Sequence, residues 1–169
     1  NISDVSSAAS SEATSTTASS ESTGDAAQEL TFVLSNIPDG LDPSVTNNSF
    51  AQYVLINCFE GLVTYDSTGT LVPGNAESWD ISDDGLTYTF HLRDGLKWSD
   101  GSDLTAEDYV YTIQRVLTPA TAAQYVSMAT DYIKNAQEYY DGTATADDLG
   151  VKALDDKTLE ITLVQPTSY

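Results

Sequence analysis

The regular alternation of residues 86–92, LTYTFHL, constrains the fold of this chain more than any other feature. Large apolar side chains occupy every second position, and threonine or histidine lies between them. Because successive side chains of a strand point to opposite faces, this period of two predicts a strand with one buried and one polar face. The preceding SWDIS and the turn sequence DDG complete a predicted β-hairpin. His91, the only histidine in the chain, falls on the polar face.

Two more segments have the pattern of β-hairpins, and a short apolar run precedes them. Residues 62–73 place a DSTG turn between two β-rich runs, and residues 149–166 place a DDK turn between Val151 and Leu159. Residues 31–34 form a β-rich run that predicts a buried strand. The chain is therefore expected to contain several short strands joined by tight turns.

Three segments are expected to be helical. Residues 47–62 are apolar nearly all round, which predicts a deeply buried helix with Cys58 as a small core residue. In residues 105–117, Thr105 is a good N-cap with Asp108 at the reciprocal position, and Pro119 prevents continuation. Residues 120–142 carry a third helical pattern, with one stripe of apolar and tyrosine side chains that Gly142 ends.

The first 28 residues differ in composition from the rest. They are Ser, Thr, Ala, Asp and Glu with almost no large side chain, so they bury too little apolar surface to offset the entropy of ordering a backbone. We expect residues 1–28 to be a flexible tether. The folded part is then expected over residues 29–169.

Charge and motif content restrict the possible functions. The formal net charge of −20 opposes nucleic acid binding and electrostatic docking on anionic lipid. It is typical of an exported, well-solvated surface, with an acidic trap for cationic ligands as the alternative. A single cysteine excludes an intramolecular disulfide, and no nucleophile elbow, zinc motif or phosphate loop occurs. The acidic doublets lie in turns and lack calcium-loop spacing, so we expect no metal, cofactor or catalytic residue, with calcium and a two-carboxylate glycosidase as weaker alternatives.

Several short motifs, in their order and spacing, resemble one known family. The chain is similar, over residues 30–169, to the extracellular oligopeptide-binding proteins of bacterial ABC importers. The matching motifs are LDP at residues 41–43, FEGL at 59–62, AESW at 76–79, TFHLRDGLKWSDG at 89–101, LTAEDYVY at 104–111 and LGVKALDDKTLEITL at 149–163.

The resemblance implies a fold and a function for the longer protein. The fold class is α/β, in this chain an α+β fragment: the N-terminal portion of a two-lobed periplasmic-binding-protein-like fold, with mixed β-hairpins packed against helices. Residues 29–169 would be a partial first lobe that includes the smaller subdomain, about residues 47–169. The second lobe, which holds the peptide N-terminus in such proteins, is absent from this sequence, so the chain is not expected to bind ligand alone.

The resemblance also implies partners and a location. The protein would be a monomer that captures an oligopeptide and delivers it to the membrane permease of an ABC importer. It would be periplasmic, or extracellular and held at the cell surface by a lipid anchor upstream of Asn1. Other family solutes such as a nickel complex, a sugar or an opine, a pheromone-sensing or adhesive surface lipoprotein, and an enzyme are the alternatives.

Two places in this part of the chain are implied to touch the ligand. One is the segment after LDP, with Asn47, Asn48 and Ser49, which would lie along the peptide backbone. The other is Tyr125, beyond Pro119. The alternative is that Asn48 and Ser49 only cap a helix and that Tyr125 is a core residue.

Overall fold

The computed structural model describes residue 31 and residues 33–167. Contacts divide the chain into Asn1–Val33 and Leu34–Tyr169, and the described helices and strands all belong to the second unit. The predicted tether over residues 1–28 lies outside the described residues. The strand predicted for residues 31–34 is wrong for the three that are described, which are not in strand conformation. An isolated strand leaves its N–H and C=O groups unpaired, and both described sheets are built from later segments.

All three predicted hairpins are confirmed. A two-stranded ribbon precedes a four-stranded antiparallel sheet with the order β3-β4-β6-β5. The strands are β1 (Val63–Tyr65), β2 (Leu71–Pro73), β3 (Ala76–Ile81), β4 (Thr87–Leu92), β5 (Val151–Asp155) and β6 (Thr158–Thr162). In the DDG turn, Gly85 has a φ of 71°, a conformation that glycine adopts without steric cost. The alternating segment thus becomes a central strand, in which Phe90 pairs with both Trp79 and Leu159.

One of the three predicted helical segments is not a single helix. The helices are α1 (Ser49–Cys58), α2 (Ala106–Val116), α3 (Ser127–Thr130) and α4 (Ala136–Tyr140). The single helix expected over residues 120–142 is broken between α3 and α4. Ile133 forms an isolated bridge with Leu163, and the Lys134 N–H donates to the Thr162 carbonyl at 2.9 Å. The C-terminal end of β6 therefore takes backbone groups that a continuous helix would use.

The core lies between α2 and the four-stranded sheet, with fully buried side chains that include Leu117, Leu149 and Leu159. The expected deep burial of α1 is wrong: only Ala51 and Leu55 of this helix are buried. Ile56 and Phe59 remain 68% and 50% exposed, and Cys58 is exposed rather than a core residue. Helix α1 therefore has more apolar surface than the described part of the chain buries.

Asn75 connects four parts of this unit through its side chain and backbone. It is 6% exposed, and its carboxamide nitrogen donates to the Glu60 carbonyl and to the Tyr109 hydroxyl, both at 2.9 Å. The carboxamide oxygen accepts from the guanidinium of Arg93 at 3.1 Å. The end of α1, the turn into β3, the end of β4 and α2 thus meet at one buried amide.

The N-terminus of α2 is fixed by a carboxylate. Asp108 Oδ2 accepts from the backbone N–H of Thr105 at 2.8 Å, which is the reciprocal half of the expected capping box. Both Glu107 and Asp108 lie in the first turn, at the positive end of the helix dipole. Of these two side chains, Asp108 is the one that hydrogen-bonds to the cap residue.

We predict that Asp108→Ala lowers the free energy of unfolding by about 1 kcal/mol, because a cap N–H loses its acceptor. Urea denaturation of the wild type and the variant measures the difference in the free energy of unfolding. Glu107→Ala is the matched control, since it removes the same charge from the same turn. Equal denaturation midpoints for the two variants would show that charge alone, and not the hydrogen bond, stabilises this end of α2.

Candidate ligand-binding site

The LDP segment is held against the last turn of α2 by an ion pair. Both terminal nitrogens of the Arg115 guanidinium donate to the Asp42 carboxylate, with an Nη1–Oδ1 distance of 2.8 Å. Two parallel N–H···O bonds fix the relative orientation of the groups as well as their distance. Asp42 Oδ1 also accepts from the Ser44 N–H at 3.0 Å, and the Asp42 carbonyl accepts from the N–H groups of Val45 and Thr46.

The segment then leads directly into α1. The Asn48 N–H donates to the hydroxyl of buried Thr46, and Asn48 Oδ1 accepts from the N–H groups of Phe50 and Ala51 at 2.8 and 3.3 Å. Asn48 is therefore the N-cap of α1, as the capping alternative predicted, and Ser49 is the first helical residue. Asn47 and Ser49 are exposed, and their role in ligand binding stays a prediction.

Tyr125 lies in the loop that follows α2. The 3-10 turn Pro119–Thr121 follows α2, and Tyr125 is 60% exposed, so Tyr125 is not a core residue of the described unit, contrary to the core alternative. Tyr125 lines a cavity of about 240 Å³ together with Pro43 of LDP and Ser44, which follows it. Tyr125 and the LDP segment, which are far apart in sequence, therefore share one cavity. Asn47, Asn48 and Ser49 do not line it.

A larger apolar cavity lies next to the first. It has a volume of about 370 Å³ and is bounded by the face of the sheet, with Tyr88, Phe90 and Ile161, and by residues of α3 and its C-terminal side. Met128 and Ile133 line both cavities. Together the two cavities form an apolar surface, with the LDP segment at one end and the sheet at the other.

The electrostatics of the site centre on Asp42. Hydrogen bonds from Arg115 hold the pKa of the Asp42 carboxyl below its ordinary value, with a smaller contribution from the Ser44 N–H. The same pair raises the pKa of Arg115. Neither group is therefore suited to exchange protons near neutral pH, and the pair is structural in character.

The rest of the described chain offers little reaction chemistry. His91 Nε2 lies 2.9 Å from Asp80 Oδ2 on the outer sheet surface, and neither residue lines either cavity. Over residues 31 and 33–167, no group of three or more His, Cys, Asp or Glu side chains is placed to hold a metal ion. Within the same range, no helix is both long and apolar enough to cross a bilayer. The two cavities present apolar area with a few polar groups at one end, which is the usual composition of a binding site.

Sequence reasoning missed several residues of this site, among them Pro43, Ser44 and Arg115. Pro43 and Ser44 line the cavity directly, although the resemblance pointed only to residues 47–49 and Tyr125. Arg115 lies in a predicted helix, to which the sequence assigned no role in the site. Its position in the last turn is a signal for interaction with the helix dipole, but nothing in the sequence points to Asp42, which lies 73 positions earlier.

This arrangement of hairpins and short helices recurs in solved structures of one family. The model of the bacterial extracellular solute-binding proteins, family 5 Middle, matches residues 70–169, and the chain belongs to this family. It is a family of binding proteins rather than of enzymes.

Individual relatives agree with the family match. A probable deoxycholate-binding periplasmic protein of Escherichia coli is 46% identical over 133 residues, covering 78% of this chain and 25% of that protein. A periplasmic oligopeptide-binding protein of Borrelia burgdorferi superposes with a TM-score of 0.76 at 47% identity, covering 78% and 27% of the two chains. The oligopeptide-binding protein of Haemophilus influenzae, in complex with the peptide RPPGFSPFR, gives a TM-score of 0.73 at 43% identity, covering 78% and 26%. The chain thus spans about a quarter of these relatives.

The ion pair predicts a specific dependence of stability on pH. Because the pKa of Asp42 is lower in the folded state than the unfolded value near 4, its stabilising contribution is present at neutral pH and is lost as pH falls through the folded pKa. The loss of Tm caused by Asp42→Asn should therefore be largest at about pH 7 and should shrink as pH falls below about 4. Thermal unfolding between about pH 7 and the acid side of pH 4 measures the difference, and a loss of Tm that does not shrink in acid would contradict it.

Proposed function

We propose that this chain is part of an extracellular solute-binding protein that captures oligopeptides for an ABC importer. The observation that carries the proposal is the shared cavity of Tyr125 and the LDP segment, in a chain of this family. An extended peptide offers a row of N–H and C=O groups beside its side chains, and it needs an apolar wall with polar groups at its edge. The relatives of known structure that are named as peptide binders support this choice of ligand.

Each candidate residue has a role in this proposal. The exposed residues Asn47 and Ser49 would offer polar groups to the peptide backbone, while Asn48 caps α1 and so fixes their direction. Tyr125 would cover a peptide side chain with its ring, since tyrosine supplies apolar area and a polar tip at low entropic cost. Asn47 is neutral, so hydrogen bonds to the peptide backbone rather than charge would bind the peptide there.

The rest of the proposal concerns the longer protein. Residues 29–169 would form part of a first lobe, with the smaller subdomain over about residues 47–169, and a second lobe would close over the peptide. Residues 1–28 would be the tether to a lipid anchor upstream of Asn1, at the surface of a Gram-positive type of cell or in a periplasm. The protein would act as a monomer that hands peptide to a membrane permease.

A different solute is the second candidate. The Escherichia coli relative is named as a probable deoxycholate-binding protein, and the 370 Å³ cavity is almost wholly apolar. An apolar solute would fill such a cavity without the polar groups of residues 47–49. Native mass spectrometry of the full-length protein purified from cells separates the two candidates: a ladder of peptide masses supports oligopeptide capture, and a single non-peptide mass overturns it.

We predict that the 169-residue chain alone binds peptide more weakly than about 1 μM, or −8 kcal/mol. One wall supplies only part of the contact area and cannot exclude water from the ligand. Calorimetry with a random pool of tri- to pentapeptides tests this, and tighter binding would mean that the described cavities suffice.

In the full-length protein, we predict that Tyr125→Ala weakens binding of the peptide found by mass spectrometry by about 1–2 kcal/mol, the cost of removing an aromatic contact at an interface. Tm should change little, because Tyr125 is 60% exposed and lies outside the core. Calorimetry and thermal unfolding measure the two quantities.

Tyr65→Ala is the matched control for Tyr125→Ala. Tyr65 is a 71% exposed tyrosine of β1 and lines neither cavity. Equal affinities of the Tyr125 and Tyr65 variants would remove Tyr125 from the binding site, and a large loss of Tm in the Tyr125 variant would assign it to the scaffold.

A further inference from the structure

The ion pair between Asp42 and Arg115 joins the two places that the proposed ligand would touch. Asp42 begins the segment that leads to residues 47–49, and Arg115 lies in the last turn of α2, from which the chain continues to Tyr125. Neither Asp42 nor Arg115 lines either cavity. The pair is therefore placed to act on the site through other residues.

Several hydrogen bonds connect Asp42 to the backbone of residues 44–46 and so orient this segment. The same oxygen, Oδ1, accepts from Arg115 and from the Ser44 N–H, so the guanidinium fixes the carboxylate to which the backbone is bonded. The Asp42 carbonyl accepts from Val45 and Thr46, and Thr46 in turn accepts from the Asn48 N–H. A connected set of hydrogen bonds thus runs from α2 through the segment to the N-cap of α1.

The geometry is that of a specific rather than an incidental contact. The pair is bidentate, and its side chains are only 34% and 42% exposed for Arg115 and Asp42. By comparison, the pair of Lys157 and Asp94 has side chains that are 59% and 89% exposed, and it joins a single nitrogen to a single oxygen. The planar guanidinium of Arg115 holds one orientation relative to the carboxylate, whereas the flexible ammonium group of Lys157 does not.

We infer that Asp42 and Arg115 are positioning residues that hold residues 43–49 in the ligand-binding conformation and so set ligand affinity. This inference rests on the proposed function for its ligand, but its effect on the segment is independent of any ligand. When the pair is broken, residues 43–49 gain conformational freedom, and a ligand must order them again at a cost in affinity.

The test uses four variants of the full-length protein. Arg115→Gln removes the charge and the fork, and Asp42→Asn keeps an oxygen for the Ser44 N–H while removing the ion pair. The double variant completes a double-mutant cycle. Asp94→Asn is the control, because it also removes a carboxylate from an ion pair. Its pair with Lys157 is far in sequence from residues 43–49 and lines neither cavity.

Two measurements are made on each variant. Hydrogen exchange without ligand should be faster by about fivefold at the amides of Ser44, Val45 and Thr46 in Arg115→Gln and Asp42→Asn, and should rise by a smaller factor in β4. Calorimetry with RPPGFSPFR and with alanine tri-, tetra- and pentapeptides should show affinity reduced by about fivefold in each single variant and no further in the double variant. The control should match the wild type in both.

The outcomes separate this inference from the proposed function. Wild-type affinity in Arg115→Gln, or additive losses in the double variant, would overturn the positioning role. Exchange that rises in β4 by the same factor as at residues 44–46 would also overturn it, because the pair would then stabilise the whole unit without a separate effect on the segment. If the wild-type protein binds none of these peptides, the proposed function fails for them, and unchanged exchange at residues 44–46 still overturns the positioning role.

Discussion

The buried amide of Asn75 is the interaction on which the arrangement of this unit depends. An amide that is 6% exposed must satisfy its donors and acceptor within the protein, and Asn75 does so with Glu60, Tyr109 and Arg93. Gly74, beside it, lies so close to the backbone of Gly61 that an added Cβ would be 2.6 Å from the Gly61 carbonyl oxygen. A hydrogen-bonded asparagine and a glycine whose position has no room for a side chain therefore lock the end of α1 to the sheet and to α2.

The position of the candidate site follows from this junction. Because Asn75 fixes α2 through Tyr109 at one end, the other end of α2 has a defined place, and there Arg115 meets Asp42 while the chain turns towards Tyr125. Two segments that are distant in sequence are thus brought to one cavity by a single helix. Helix α2 is thus a rigid connection between the hydrogen bonds of Asn75 and the cavity lined by Tyr125.

The exposed apolar surface fits a chain that is about a quarter of its relatives' length. Residues of α1 such as Tyr53 and Ile56, and Phe59 at its end, are half exposed or more, and both apolar cavities are lined by large side chains. Apolar area of this kind marks surfaces that bind another part of a protein or a ligand. The error in the expected burial of α1 has the same origin, because the pattern of a helix shows how much apolar surface it has but not what covers it.

The sequence alone determined the local structure and the family. Some sequence features act over only a few positions, such as the alternation in residues 86–92, the turn residue Gly85 and the carboxylate of Asp108. They predicted hairpins and a helix end because the interactions involved are local. The order of short motifs was enough to recognise the solute-binding family.

Only the tertiary structure decided which distant groups meet. It paired Asp42 with Arg115, placed Pro43 and Tyr125 in one cavity, and broke the helix after α3, where the end of β6 bonds Lys134. These outcomes depend on contacts between residues tens of positions apart. A local pattern carries no information on such contacts, because the free energy that selects them comes from packing and hydrogen bonding across the whole unit.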